Sequence, residues 1–199
     1  MTSAGLSASI AADRARTNAD ARLVALARES RDEALELMYS AYKSRIYTFL
    51  LRLLSDPHGA DDLTQDVFTK AYQAIGSLTT EHRVLPWLYR IATNTAIDHV
   101  RRKRRFTWLR VGRLAGTGDE PLMADEHGAV PERDQVRRIL ATLPAEQSTA
   151  LLLHSLEGYS YKEIADIQGC SVTAVRSRLA RARQAFRDRY ATTEALHPS

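Results

Sequence analysis

Cysteine is almost missing from this 199-residue chain: Cys170 is the single one. No internal disulfide can form, and a paired-cysteine metal or redox site is excluded. The six histidines are scattered, and no two are spaced as His-x-x-x-His. No zinc pattern follows, and neither a metal nor a cofactor is expected. Long apolar runs are lacking too. The best stretch, Tyr47 to Leu54, is broken by Arg52, well short of the roughly 20 residues that span a bilayer. Membrane insertion is not expected. The segment from Met1 to Asp20 is rich in alanine and serine with interspersed charge, without the apolar core of a signal peptide. Period-two strand patterns are essentially absent. An all-α protein of the cytoplasm is the expectation from these gaps.

What is present is charge, and its distribution matters more than its sum. Net charge is only +4, yet the pI is about 9.4. Arg101, Arg102, Lys103, Arg104 and Arg105 form one basic block, and the stretch from Arg176 to Arg189 forms another. Acids gather elsewhere, at Asp56, Asp61, Asp62 and Asp66. Such segregation suits one surface for a polyanion and another for a protein partner.

The strongest local pattern runs from Ser160 to Arg183. Ser160 and Glu163 stand three apart, as a capping box requires, so a short helix should start at Tyr161. Gly169 can adopt the positive φ of a tight turn. Ser171 then caps a second helix whose apolar residues Val172, Val175, Leu179, Ala182 and Phe186 recur at helical spacing. Thr173, Arg176, Ser177, Ala180, Arg181 and Gln184 fall on another stripe. A supporting helix, a glycine turn and a basic outward stripe make a helix-turn-helix whose second helix suits the DNA major groove. A basic helix face is more often merely solvated, but the cap, the turn and the arginine stripe coincide here.

Along the rest of the chain, residues 1–18 read as a tail. Apolar positions from Leu23 to Leu53 keep near-helical spacing with a break at Ser30 to Asp32. Asp56-Pro57 starts the next helix, with Leu63, Val67, Ala71 and Ile75 inward and Gly76 at its end. A loop from Ser77 to Val84 leads to a helix from about Leu85 into the arginine block. Residues 106–130 hold Gly112, Gly116, Gly118, Pro121 and Gly128 without periodicity, which reads as a linker. Gly116-Thr-Gly lacks the Gly-Lys-Ser/Thr ending of a phosphate loop. Pro131 opens a helix with Val136, Ile139, Leu140 and Leu143 inward, and Pro144 to Leu156 forms another, stopped by Gly158. Two small helical domains on a flexible tether are expected, at 19–105 and 131–190, with a tail at 191–199.

In the first domain Asp62, Gln65 and Asp66 project from one side of their helix, three and four residues apart. No cleft or metal partner accompanies them, so general acid–base catalysis is a poor reading. A charged docking face is the better one, and an ordinary solvated helix its alternative. Downstream, Trp87-Leu-Tyr89-Arg90-Ile91-Ala-Thr-Asn94 joins aromatics and a carboxamide to the basic block. Aromatic planes stack on unpaired bases and Asn bonds base edges, although Trp87 and Tyr89 taken alone are more often core residues.

The order Asp-Leu-x-Gln-Asp-x-Phe, Trp-Leu-Tyr-Arg-Ile-Ala-x-Asn-x-Ala, a basic run, a linker, Leu-Pro, Gly-Tyr-Ser-Tyr-Lys-Glu-Ile-Ala and Val-Arg-Ser-Arg-Leu-x-Arg-Ala-Arg resembles the extracytoplasmic-function (group 4) sigma factors of the sigma-70 family. The resemblance covers roughly residues 20–190 and implies a σ2-like and a σ4-like domain. It further implies that Asp62, Gln65 and Asp66 bind the β′ clamp helices of core RNA polymerase, with the β flap as a second contact. Asn94, with the loop from Leu78 to Leu85, corresponds to the reader of the −10 element. Ala74, Leu78, Tyr89 and Ile91 would line a pocket for a flipped base, and Arg101 and Arg102 would hold the strand. Arg176, Ser177 and Arg181 correspond to the −35 readers, flanked by Thr173 and by Arg183 on the phosphates. An anti-sigma factor is an expected partner. Two departures stand out: the loop Ser77-Leu-Thr-Thr-Glu-His-Arg-Val lacks the usual Phe-Arg-Gly, and Thr173-Ala174 stands where Gly-Thr is common.

The implied role is promoter recognition and melting, with no bond made or broken by this chain and a stress or envelope regulon as its target. A dimeric helix-turn-helix regulator would leave the Asp62/Gln65/Asp66 face and the Trp87–Asn94 segment without a purpose. A recombinase-like enzyme would need a nucleophile on a catalytic domain, and none is visible. The chain stops soon after the second domain, so no C-terminal regulatory domain is expected.

Overall fold

A computed structural model describes residues 18–79, 83–111 and 131–196, and those residues contain helices and no strand. Helix α1 spans 18–29. It is followed by α2 (Arg31–Leu54), α3 (Pro57–Ala74), a 3-10 turn (Ile75–Ser77) and α4 (Val84–Val111). The second domain consists of α5 (Pro131–Thr142), α6 (Ala145–Ser155), α7 (Tyr161–Gln168) and α8 (Val172–Leu196).

Local chemistry places the breaks. Ser30 takes an extended backbone between α1 and α2, and its hydroxyl accepts from the Glu33 N–H at 3.3 Å. At the far end of α2, Ser55 turns left-handed with φ 53° and returns its N–H to the Leu51 carbonyl. Asp56 then caps α3, accepting from the Gly59 N–H at 3.0 Å, with Pro57 in the first turn. Each such cap contributes about 0.5–2 kcal/mol.

Helices α1 to α4 bury Val24, Met38, Ile46, Phe49, Leu50, Leu63, Val67, Leu88 and Ala92. The second domain buries Leu140, Leu143, Leu153, Ile164, Val175, Leu179 and Ala182. Fully burying one large aliphatic side chain stabilises by about 1.5–3 kcal/mol, so these stripes hold each domain.

The two domains are packed together, and their cores run into one continuous apolar cluster. Tyr159 of the second domain meets the Tyr89 ring edge-on at 5.7 Å. Ion pairs among the described residues fringe the contact: Arg45–Glu157 at 2.9 Å, Arg101–Glu146 at 2.6 Å and Arg83–Glu163 at 3.4 Å. Helix α4 continues to Val111, into the stretch 106–130 expected as linker. Residues 112–130 and the tail 1–17 lie outside the described residues. Helix α8 likewise passes the expected end at 190 and reaches Leu196. In both cases no glycine or proline interrupts the extra turns: Gly112 follows α4 directly, and Pro198 lies two residues past the end of α8. Two inward residues were misplaced. Val136 and Val172 are each 36% exposed, Val172 because it is the first residue of α8.

Candidate nucleic-acid interface

On α3, Asp61, Asp62, Gln65 and Asp66 are all exposed while Leu63, Thr64, Val67 and Phe68 are buried. The acidic stripe therefore exists as a surface. Beside it lies an aromatic shoulder with no signal in the local sequence. Tyr39 of α2 packs edge-on against Phe68 at 4.9 Å, and Lys43 stands 5.0 Å from the Tyr39 ring centre. Helix periodicity cannot reveal this, since the two rings come from different helices.

Helix α4 presents Arg90, Asn94, Asp98, Arg101, Arg102 and Arg105 to solvent. Lys70, Asp98, Arg101, Arg102 and Arg105 line an open basin of about 650 Å³. Lys70 comes from α3 and donates to the Thr95 hydroxyl at 2.9 Å, so α3 adds a cation that the sequence reading did not include. His99 lies on the same helix. Burial, then Lys103 and Arg102, hold it below its ordinary value, against a counter-pull from Asp56 and Asp66.

The expected base pocket is not open in this arrangement. Tyr89 is fully buried between Phe49, at 5.1 Å, and Tyr159. Leu78 is 4% exposed, tucked under the 3-10 turn, where its N–H bonds the Ile75 carbonyl. Ala74 and Ile91 are only partly covered. Over Tyr89 the cover comes from the second domain, through Tyr159. The Tyr89 hydroxyl is buried without a well-formed hydrogen bond. Burial, then the nearby Glu157 carboxylate, push its pKa well above the usual phenol range.

The helix-turn-helix has the geometry expected of it. The Ser160 hydroxyl accepts from the Glu163 N–H at 3.3 Å, and the Glu163 carboxylate accepts from the Ser160 N–H at 2.9 Å. Burial alone would raise Glu163, but the Ser160 N–H and hydroxyl, with Arg83, hold it below its ordinary value. Gly169 adopts φ 61°, a left-handed conformation that a side chain would strain. Ser171 caps α8 by accepting from the Ala174 N–H at 3.1 Å.

On α8, Thr173, Arg176, Ala180, Arg181 and Gln184 are exposed, Ser177 is half-exposed, and Val175, Leu179 and Ala182 are buried. Arg181 donates to the Ser177 hydroxyl at 2.6 Å, which pre-orients both along the outward stripe. Arg183 is partly covered. Arg178, absent from the sequence-based set, turns inward and donates to Gln168 at 2.7 Å and to the Cys170 sulfur at 3.2 Å. Gln168 in turn donates to the Thr149 hydroxyl and the Glu146 carbonyl. Arg178 thus ties α8 to α7, and through Gln168 to α6.

Comparison with known proteins decides what carries these surfaces. Residues 38–106 match the family described as Sigma-70 region 2, and residues 133–186 match Sigma-70, region 4. The chain belongs to the sigma-70 family. The RNA polymerase sigma-H factor of Pseudomonas aeruginosa is 35% identical over 179 residues, an alignment covering 84% of this chain and 91% of that protein. The ECF RNA polymerase sigma factor SigW of Bacillus subtilis is 32% identical over 158 residues, covering 73% and 83%. The sigma factor RpoE of Bartonella quintana, solved in complex with the anti-sigma factor NepR, superposes with a TM-score of 0.61 at 25% identity, covering 78% of this chain and 96% of that one. This protein is an extracytoplasmic-function sigma factor, a transcription initiation factor that directs RNA polymerase to promoters. Its region 2 match takes in the acidic face of α3 and the basic face of α4, whereas α1 lies outside both matched stretches.

Proposed function

We propose that this sigma factor divides its work among three surfaces. The Asp62/Gln65/Asp66 stripe docks on the β′ clamp helices, and the second domain also meets the β flap. Asn94 and the loop preceding α4 read the −10 element, while Arg101 and Arg102 hold the strand across the basic basin. Ala74, Leu78, Tyr89 and Ile91 shape the base pocket once the second domain has moved off. Thr173, Arg176, Ser177 and Arg181 read the −35 element, and Arg183 steadies the phosphates. The chain performs no bond chemistry of its own. Promoter opening is driven by capture of unstacked bases, each stacking contact contributing about 1–3 kcal/mol.

The observation that carries this reading is the coexistence of an exposed acidic stripe on α3 with an exposed arginine stripe on α8. The domain packing adds a condition. Elements centred near −35 and −10 lie about 25 base pairs apart, roughly 85 Å of B-form DNA. Here Tyr159, Glu157, Glu146 and Glu163 bind the first domain directly, so the two domains must separate before both elements can be read. The packed form is therefore a resting state, suited to capture by an anti-sigma factor in the cytoplasm. The likeness to a sigma factor solved with such a partner supports that control. No described helix is long and apolar enough to cross a membrane. Run-off transcription with purified core polymerase and a promoter library tests the reading; transcripts that start at random would overturn it.

A further inference from the structure

Four described helices start from their own oxygen-bearing cap: Ser30 for α2, Asp56 for α3, Ser160 for α7 and Ser171 for α8. Helix α4, which carries Asn94 and the basic face, draws on a distant side chain. The residue before it is Arg83, whose side chain holds no acceptor, and its first turn contains no acid. One first-turn donor is absent because Pro86 has no N–H. The Trp87 N–H returns to the Arg83 carbonyl at 3.2 Å. The Val84 N–H is bonded from far away. It donates to Oδ2 of Asp20 on α1 at 3.3 Å, across 64 positions of sequence. Oδ1 of the same carboxylate accepts from the Tyr42 hydroxyl of α2 at 3.2 Å.

Both bonds are long, but they converge on one part-buried group that joins α1, α2 and the start of α4. Val84 itself is fully buried, so its amide has no water to fall back on, and an unbonded buried amide is costly. Burial pushes Asp20 above its ordinary value, and the Val84 N–H, Tyr42 and Arg83 pull the other way. The same contact pushes the Tyr42 phenol up to about 12, chiefly through burial and the Asp20 charge.

From this geometry we infer that Asp20 is a positioning residue for −10 reading, capping α4 from α1 and fixing the point where the 77–83 loop joins that helix. A cap drawn from α1 ties the start of α4 to the body of the domain and so holds the register of Asn94. This rests on the proposal that the loop and α4 read the −10 element.

The test uses the full chain with core polymerase and a panel of single-base −10 variants, scoring open-complex formation. Asp20→Ala should reduce discrimination between the preferred and substituted sequences about fivefold, in line with the loss of one helix cap. Core binding and affinity for a −35 duplex should stay unchanged. Tyr42→Phe removes one donor and spares the Val84 bond, so its loss should be smaller. Asp20→Asn keeps an acceptor and should restore most of the discrimination. A parallel swap of residues 77–83 separates the layers. If the swap shifts −10 preference and Asp20→Ala lowers only the melting temperature, Asp20 is a structural cap and the inference fails. If Asp20→Ala shifts preference while the swap does not, Asp20 keeps its role and the reading face moves from the loop to α4. If neither variant shifts preference, both readings fall.

Discussion

Glu157→Lys should drive the two domains apart without unfolding either one. Glu157 sits in the turn between α6 and α7, and its carboxylate bonds Arg45 of the first domain at 2.9 Å while facing the Tyr89 hydroxyl. Its side chain is 11% exposed, against 53% for Arg45, so solvent screens the pair heavily. Losing such a pair costs about 0.2–1 kcal/mol, and the lysine facing Arg45 adds a repulsion of similar size. The docking equilibrium should move by about 1–2 kcal/mol, a factor of roughly 5–30. Small-angle scattering of the free protein should report a larger radius of gyration, and the variant should bind a −10 single strand more tightly because Tyr89 is uncovered. Salt should act on the unaltered protein in the same direction, since Arg45, Arg83 and Arg101 are each exposed in their interdomain pairs and charges are screened within about 3 Å at 1 M. An unchanged radius and unchanged strand affinity, with normal melting, would refute the claim that these contacts hold the resting state.

Replacing both Asp62 and Asp66 by lysine should abolish co-purification with core polymerase while the helical circular dichroism stays intact; continued binding would remove the docking role of α3. Arg176→Ala should relax selectivity at one or two −35 base pairs by about 1–3 kcal/mol, whereas Arg183→Ala should weaken all sequences evenly and reduce the salt slope by about one unit. A mutant-promoter panel at two salt concentrations tells these apart, and an even loss from Arg176→Ala would mean that the reading face is misplaced. His99 is held below its ordinary value chiefly by burial, so the unfolded chain takes up its proton more readily. Its contribution to stability is present above about pH 6.5 and lost as pH falls further, so His99→Gln should flatten the drop in melting temperature between about pH 7 and pH 5. An equal drop in both proteins would assign that dependence to other groups.

The sequence alone determined what depends on neighbours within a turn or two. The Ser160/Glu163 capping box, the left-handed Gly169, the Ser171 cap and the outward stripe of α8 all rest on contacts three or four residues apart. Helical spacing therefore reads them directly. The acidic stripe of α3 was legible for the same reason. Helix ends were less so, because α4 beyond Arg105 and α8 beyond Tyr190 run on through sequence that holds no glycine or proline to mark a stop. Tertiary structure decided whatever needs two distant segments to meet. Tyr89 reads as a base-stacking aromatic until Tyr159 is brought over it, and Lys70 reads as one more surface cation until Thr95 holds it at the edge of the basin. Asp20 is an unmarked acid near the end of a tail until α1 folds back onto the start of α4. In each case the partner lies tens of residues away, and only packing between helices, driven by burial of their apolar stripes, chooses which side chains meet.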